Sequence, residues 1–371
     1  MKLFYHFRSQ MMKNTVGFKT KLFVFIYAAF AFCCTSAYAQ QTIQMTAISG
    51  YAPVATWIRE FRDYFIPEIN KKLAVTGKYK INWNQAYSGQ VANVGGELQA
   101  IQKGLADIGI VVLPLATDKV GLYAVSYYTP FVSNDVVLIS KTIDKVAQKF
   151  PDMVRQWEQF NQKNLVTLGV VDTYHVLSRK AISKAEDFKG MKIGGAGPNL
   201  LWLQSMGATG VVAPMNEAYN ALQTGVIDGY FIHSGAAQNV KLNEVAPYHV
   251  NTKAGGASAF AMSINLNTWK RLPDEVKTAI TEVSKSFPDY LGKAARIDND
   301  AGVKAYKDSK GTFVDISDDV RKQWAMSMSN IAQRWADDQE KQGYPGKAVL
   351  KAYMDEMRAA NQPILRNWDR E

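Results

Sequence analysis

Two distant stretches of the chain carry the same pattern, and that duplication limits the folds open to it. AIQKGLADIGI runs from Ala100 to Ile110, and ALQTGVIDGYF from Ala221 to Phe231. Each reads Ala, aliphatic, Gln, polar, Gly, two small or apolar residues, Asp, then apolar. Leu98, Ile101 and Leu105 keep helical spacing in the first, as do Tyr219, Leu222 and Val226 in the second. Gly104 and Gly225 stand where each helix must stop, since glycine takes a left-handed backbone without a Cβ clash. IGIVVL and the run from Tyr230 to Ile232 then read as short apolar strands, as expected of strands covered by helices on both faces. No fixed short period joins the copies, so they are not a tandem repeat. Two similar α/β domains, each using one helix–Gly–Asp–strand unit, account for both.

The rest of the chain fits such layers. QTIQMTAIS (41–49) alternates as an opening strand. Val54, Trp57, Ile58, Phe61, Phe65, Ile69 and Leu73 then form one helical stripe. Strands are predicted at 79–87, 164–172, 176–182 and 258–265, and MKIGGAG runs through a loop into a helix at Asn199. Pro273 opens a helix with acids in its first turn and Val276, Ile280, Val283 and Phe287 on one face. Ser317 can cap a later helix, and Trp324, Met328, Ile331 and Trp335 make its stripe. Alternating strands and helices imply an α/β class with mostly parallel sheet.

The first residues read differently. Lys2, Arg8, Lys13, Lys19 and Lys21 precede LFVFIYAAFAFCC, and small residues follow at Ala37 and Ala39. This is the form of an export signal, with cleavage expected after Ala39. The apolar run is shorter than the ~20 residues of a spanning helix. Phe32 before Cys33 does not fit lipid attachment. Removing residues 1–39 leaves 332 of the 371 residues, enough for two domains, and lowers Lys+Arg from 43 to 38 against 33 acids, a net charge of +5. That surface is only mildly basic, with no basic–aromatic run, so nucleic acid is not an expected partner. Cys33 and Cys34 both lie within the signal, so the exported chain has no disulfide and no thiol nucleophile.

Chemistry-bearing motifs are sparse. His175, His233 and His249 are not spaced as metal ligands, and neither HExxH nor GxSxG occurs. No metal and no cofactor is expected. GGAGPN (194–199) sits between a strand and a helix, where main-chain amides can meet an anion, but it lacks both a dinucleotide fingerprint and a P-loop. A tight connection explains it equally well. Among Tyr51, Tyr87, Tyr127, Tyr128, Tyr174, Tyr230 and Phe231, three directly follow a strand or a turn glycine, where α/β proteins open clefts: Tyr51, Tyr174 and Tyr230.

EDFKGMKI followed by LQSMGATGVVAPMNEAYNALQTGVIDG resembles the solute receptors of TRAP transporters, the DctP-type family. GELQAIQKGLADIGIV and INLNTWKRLPDEVKTAI are similar to other segments of that family. The resemblance runs from about Thr42 to Asp315 and is strongest from Glu186 to Gly229. It implies a two-lobed, periplasmic-binding-protein-like fold with a ligand cleft between lobes joined by crossing strands and a long helix, and a helical C-terminal part. Lobe I would take 40–171 plus about 258–290, and lobe II would take 172–257 plus about 291–371 with the C-terminal helices. It implies a periplasmic receptor, not an enzyme, that is a monomer and passes a small organic solute to a small and a large membrane subunit.

Family members carry an arginine after Lys-Ile that pairs with the solute carboxylate; Gly194 holds that place here. A second family arginine also has no counterpart, since DTYHVLS offers Asp172, Tyr174 and His175. The family asparagine after the VDG-type turn falls near Ile232, among Tyr230, Phe231 and His233. The ligand-contacting set expected from these positions is Tyr51, Gln90, Asp172, Tyr174 and His175, with Gly194, Asn199, Met215, Tyr230, Phe231 and His233. The expected solute is a monocarboxylate or neutral molecule with an apolar or aromatic body, the carboxylate held by GGAG amides at a helix start. An amine on Asp172 is the weaker option. The alternatives are a receptor serving a sensor or another importer, or a secreted enzyme on the same scaffold.

Overall fold

A computed structural model describes residues 40–309 and 311–371; the expected export signal and both cysteines lie outside the described residues. The strands are β1 (Gln41–Ile48), β2 (Tyr79–Ala86), β3 (Ile108–Val112), β4 (Gln162–Leu168), β5 (His175–Ser178), β6 (Lys192–Gly195), β7 (Thr209–Val212), β8 (Gly229–Ile232), β9 (Tyr248–Asn251), β10 (Phe260–Asn265) and β11 (Thr312–Asp315). They form two sheets, ordered β2-β1-β3-β10-β4 and β11-β9-β5-β8-β6-β7. The fold is two-lobed α/β.

Both sheets are mixed but mostly parallel, as expected, since in each every strand but one runs the same way. β10 runs antiparallel to β3 and β4, and β5 runs antiparallel to β8 and β9. The reason is connectivity. β5 and β10 are the first strands laid down after the chain changes sheets, and each inserts against the local direction. The two crossing segments touch through an antiparallel bridge between Val171 and Ala257. The helix Asp274–Asp308 makes a third crossing; it extends well past the predicted stripe and carries Pro288 within it.

The duplicated units occupy equivalent places, one per sheet. β3 is parallel to β1 and antiparallel to β10, while β8 is parallel to β6 and antiparallel to β5. Gly104 and Gly225 have φ of 73° and 78°, the left-handed values that end their helices. The last apolar residue of each unit departs from its stripe: Leu105 and Val226 are each 60% exposed, because both lie in the turn. Val54 is exposed too, since its helix begins only at Thr56. That helix continues through a π-helical turn, Phe61–Phe65, into Ile66–Ala74.

The predicted strands 164–172 and 176–182 end early, at Leu168 and Ser178, because the chain is then crossing or turning. The C-terminal helices, grouped by sequence with lobe II, pack on the first lobe. Ile331–Lys341 and Gly346–Ala359 lie against the segment Gly121–Tyr128, and the latter also covers the helix Val136–Lys149. Trp335 Nε1 donates to the Gly121 carbonyl at 3.1 Å and Trp368 Nε1 to that of Pro130 at 2.8 Å.

Candidate functional site

The strand ends decide where a site can form. β1, β3, β6, β7 and β8 all point their C-terminal ends at the seam between the sheets, where open α/β layers hold ligands. Tyr51 and Trp57 follow β1, and Val112 and Pro114 close β3. Ala196 and Met215 follow β6 and β7, and β8 itself supplies Tyr230, Phe231 and Ile232, with His233 just beyond. Tyr127, the crossing residue Val171, Tyr174, and Ala259–Phe260 at the start of β10 complete the wall. The cavity so formed is narrow, about 50 Å³, and no Lys, Arg, Asp or Glu lines it. A larger open groove of about 410 Å³ lies elsewhere, bordered by Lys141, Lys145, Lys163 and Lys285. It faces solvent away from the seam, so its size does not make it the site.

Aromatic packing builds the walls. Trp57 stacks on Phe260 with ring centres 4.2 Å apart, and Tyr51 meets Trp57 edge-on at 5.2 Å. On the other side Tyr174 lies against Phe231 at 4.8 Å and Trp202 at 5.3 Å. The Tyr174 hydroxyl donates to that of Tyr127 at 3.0 Å, and the Tyr230 hydroxyl to the Ala213 carbonyl at 2.8 Å. Burial pushes all four tyrosine hydroxyls above their usual pKa, so they stay neutral. The Trp57 indole N–H is occluded and has no partner. His233 donates or accepts through Nδ1 at 2.8 Å from Asn299 Oδ1, and burial draws its pKa down to about 4.

Of the residues expected from sequence, Tyr51, Tyr174, Met215, Tyr230, Phe231 and His233 line this cavity. Gln90 is exposed in the loop after β2. Asp172 lies outside the lining; its Oδ1 accepts from Asn299 Nδ2 at 2.9 Å and from the Thr173 amide at 2.8 Å, and burial raises its pKa to about 6. His175 follows Tyr174 in extended chain and so faces away, packing on His249 with ring centres 4.6 Å apart. Gly194 is covered by the Tyr230 ring: a Cβ there would sit 2.7 Å from Tyr230 Cδ2. Asn199 is fully buried beside the Tyr174 hydroxyl, its amide without a partner. The helix expected at Asn199 is only a 3₁₀ turn, Pro198–Leu200, followed by Leu201–Gln204. So short an element carries little macrodipole, and the helix-start anion site is not formed.

Trp57, Phe260, Val112, Pro114 and Tyr127 are wall residues that the sequence did not single out. Trp57 was placed on a core stripe, correctly, since it is 2% exposed. Periodicity cannot separate a core face from a cavity wall when both are buried. Among the described residues no cluster of His, Cys, Asp or Glu is arranged to hold a metal, and no helix is long and apolar enough to cross a membrane.

Walls drawn from two lobes that meet across chain crossings define a class: two-lobed proteins that bind a small molecule at the interface. Similarity to known proteins narrows it. The chain belongs to the DctP family, bacterial extracellular solute-binding proteins of family 7, whose model matches residues 50–339. The C4-dicarboxylate-binding periplasmic protein DctP of Rhodobacter capsulatus is 24% identical over 262 residues, 69% of this chain and 74% of that protein. A TRAP solute-binding protein from Rhodoferax ferrireducens, solved with copurified benzoate, matches with TM-score 0.73 at 18% identity, over 86% of this chain and 98% of that one. One from Bordetella bronchiseptica with bound (R)- and (S)-mandelate matches with TM-score 0.73 at 20% identity, over 86% and 99%. The family is one of periplasmic receptors, not enzymes, that bind small organic solutes and work with membrane components.

Proposed function

We propose that this receptor captures a neutral solute or a monocarboxylate with an apolar or aromatic body, in preference to a C4-dicarboxylate. The observation that carries the reading is the wall itself: fifteen residues line the cavity and none is charged. A dicarboxylate would bring two negative charges among buried, largely apolar walls without a cation. Burying an unpaired carboxylate costs several kcal/mol, so a second one is strongly disfavoured. Rings at Trp57, Phe260, Tyr174, Phe231 and Tyr230 offer flat apolar surfaces. Asp172 is already engaged by Asn299 and Thr173, which argues against an amine held there.

The same reading extends to the rest of the system. The chain is exported by residues 1–39 with cleavage after Ala39, works as a monomer, and delivers solute to a small and a large membrane subunit. Lobe I takes 40–171 and the return through β10; lobe II takes 172–257 and β11. Calorimetric titration with succinate, malate and a panel of aromatic monocarboxylates and neutral aromatics tests the solute class. Micromolar binding within the panel and none of succinate or malate is expected. Tight binding of succinate or malate alone would sink the reading.

A further inference from the structure

His233 follows β8, lines the cavity and is 4% exposed. Its Nδ1 lies 2.8 Å from Asn299 Oδ1, on the helix Asp274–Asp308. The surrounding network decides which of the two carries the proton. One end of the Asn299 amide faces the Val170 carbonyl at 3.2 Å and Asp172 Oδ1 at 2.9 Å. A main-chain carbonyl can only accept, so that end is the NH₂. The other end faces the Gly235 main-chain amide at 3.0 Å, which can only donate, so that end is the oxygen. Two partners of fixed role thus orient the amide. The oxygen has no proton to give, so His233 Nδ1 must donate.

A neutral imidazole that donates at Nδ1 keeps a lone pair at Nε2. Burial keeps the ring neutral, although Asn299 and Asp298 favour its charged form. Nε2 makes no hydrogen bond among the described residues. It is also not sealed in: the occluded, unpartnered nitrogens include Nδ1 of His175 and of His249 but not this atom. The open side of a residue that lines the cavity is the cavity.

We propose that His233 Nε2 is a fixed hydrogen-bond acceptor in the solute cavity, selecting solutes that present a hydroxyl or amide N–H to it. This rests on the cavity being the solute site. A carboxylate oxygen at this spot would set lone pair against lone pair, so the solute's charge, where it has one, lies elsewhere. The Trp57 ring stands 6.5 Å from the imidazole, centre to centre, and sets an apolar face beside the acceptor.

Two measurements test this. Long-range proton–nitrogen NMR on histidine-labelled protein at pH 7, with His233 assigned by its loss in His233→Gln, should show a protonated Nδ1 and a bare Nε2. The opposite tautomer, or a doubly protonated ring, overturns the acceptor and needs no ligand to do so. Calorimetry then compares mandelate with phenylacetate, where a hydroxyl is lost, and hippurate with 3-benzoylpropionate, where an amide N–H is lost. In at least one pair the donor-bearing member should bind tenfold or more tightly. His233→Phe should erase that preference, and His233→Gln, which keeps an acceptor, should retain part of it. A preference unchanged in His233→Phe, or one for the donor-free members, overturns the role. If none of the four binds while the tautomer is as stated, the solute class has failed, and the selection with it.

Discussion

Gly194 and Tyr230 are register partners on β6 and β8, and the pair shows how one missing side chain reshapes a wall. A Cβ at Gly194 would meet Tyr230 Cδ2 at 2.7 Å and Ile227 Cδ1 at 2.8 Å. The space is filled by the tyrosine ring, whose hydroxyl is tied to Ala213. Gly194→Ala should therefore destabilise the fold by about 1–3 kcal/mol through overpacking and weaken solute binding, both read by urea unfolding and calorimetry. An unchanged unfolding midpoint would show that the ring can yield. Glu97 acts at the same scale. It accepts the amides of Gly50 at 3.0 Å and Gly95 at 2.8 Å, fixing the turn that carries Tyr51, and burial lifts its pKa to about 7. The folded-state value lies above the unfolded one, so the folded state binds the proton more tightly. This contribution, ~3 kcal/mol at most, is full below pH about 4.5 and is lost as pH rises toward 7. The stability gap between wild type and Glu97→Gln should thus shrink between pH 5 and 7.5; a constant gap would mean that Glu97 does not titrate there. Sequence marked both Gly194 and Tyr230 but not that they are neighbours, because a register partner is a fact of pairing and not of local pattern.

At the scale of elements, the duplicated units explain their own aspartates. Asp107 Oδ2 accepts the Thr46 amide at 2.7 Å, and the Asp107 amide donates to the Thr46 carbonyl at 2.9 Å. Asp228 does the same with Lys192, at 2.9 Å and 2.7 Å. Each aspartate pins its strand to the parallel neighbour where pairing begins. The repeat was legible because helix, stop and strand are all local signals. The antiparallel insertion of β5 and β10 was not, since direction in a sheet depends on where the chain returns from. The long helix joins the lobes through two successive residues. Asp298 holds Thr56 and Arg59, on either side of the wall residue Trp57, while Asn299 holds His233, Gly235 and the crossing segment. Asp298→Ala removes one hydroxyl bond and one partly exposed ion pair, worth ~1–2 kcal/mol together. It should loosen Trp57 and reduce solute affinity about tenfold. Affinity equal to wild type by calorimetry would count against any coupling of this helix to the cavity.

For the molecule as a whole, the size of the cavity carries the argument. About 50 Å³ of space is far below the roughly 300–1,000 Å³ of small-molecule sites, so a solute of the proposed class fits here only if the walls part. The walls belong to different sheets, and what joins them is thin: the bridged crossings near Val171 and Ala257, the long helix, and the chain that returns from β11. That last strap is anchored on both sides, since Trp324 Nε1 donates to the Trp202 carbonyl at 2.6 Å while its ring packs on Phe131 at 5.3 Å. Such connections bend at a few residues and leave each sheet intact, which is hinge motion. A solute that touches both walls gains its full contacts only when the lobes close on it, so it must shift the balance toward closure by its differential affinity. Small-angle scattering of the solute-free protein should therefore give a larger radius of gyration than this shut structure predicts. Saturation with the tightest binder of the calorimetric panel should bring it down toward that value. A solute-free curve that already matches the shut structure and does not move on binding would mean that these lobes do not hinge, and that the solute reaches the cavity by side-chain motion at Tyr51, Trp57 and Met215 alone.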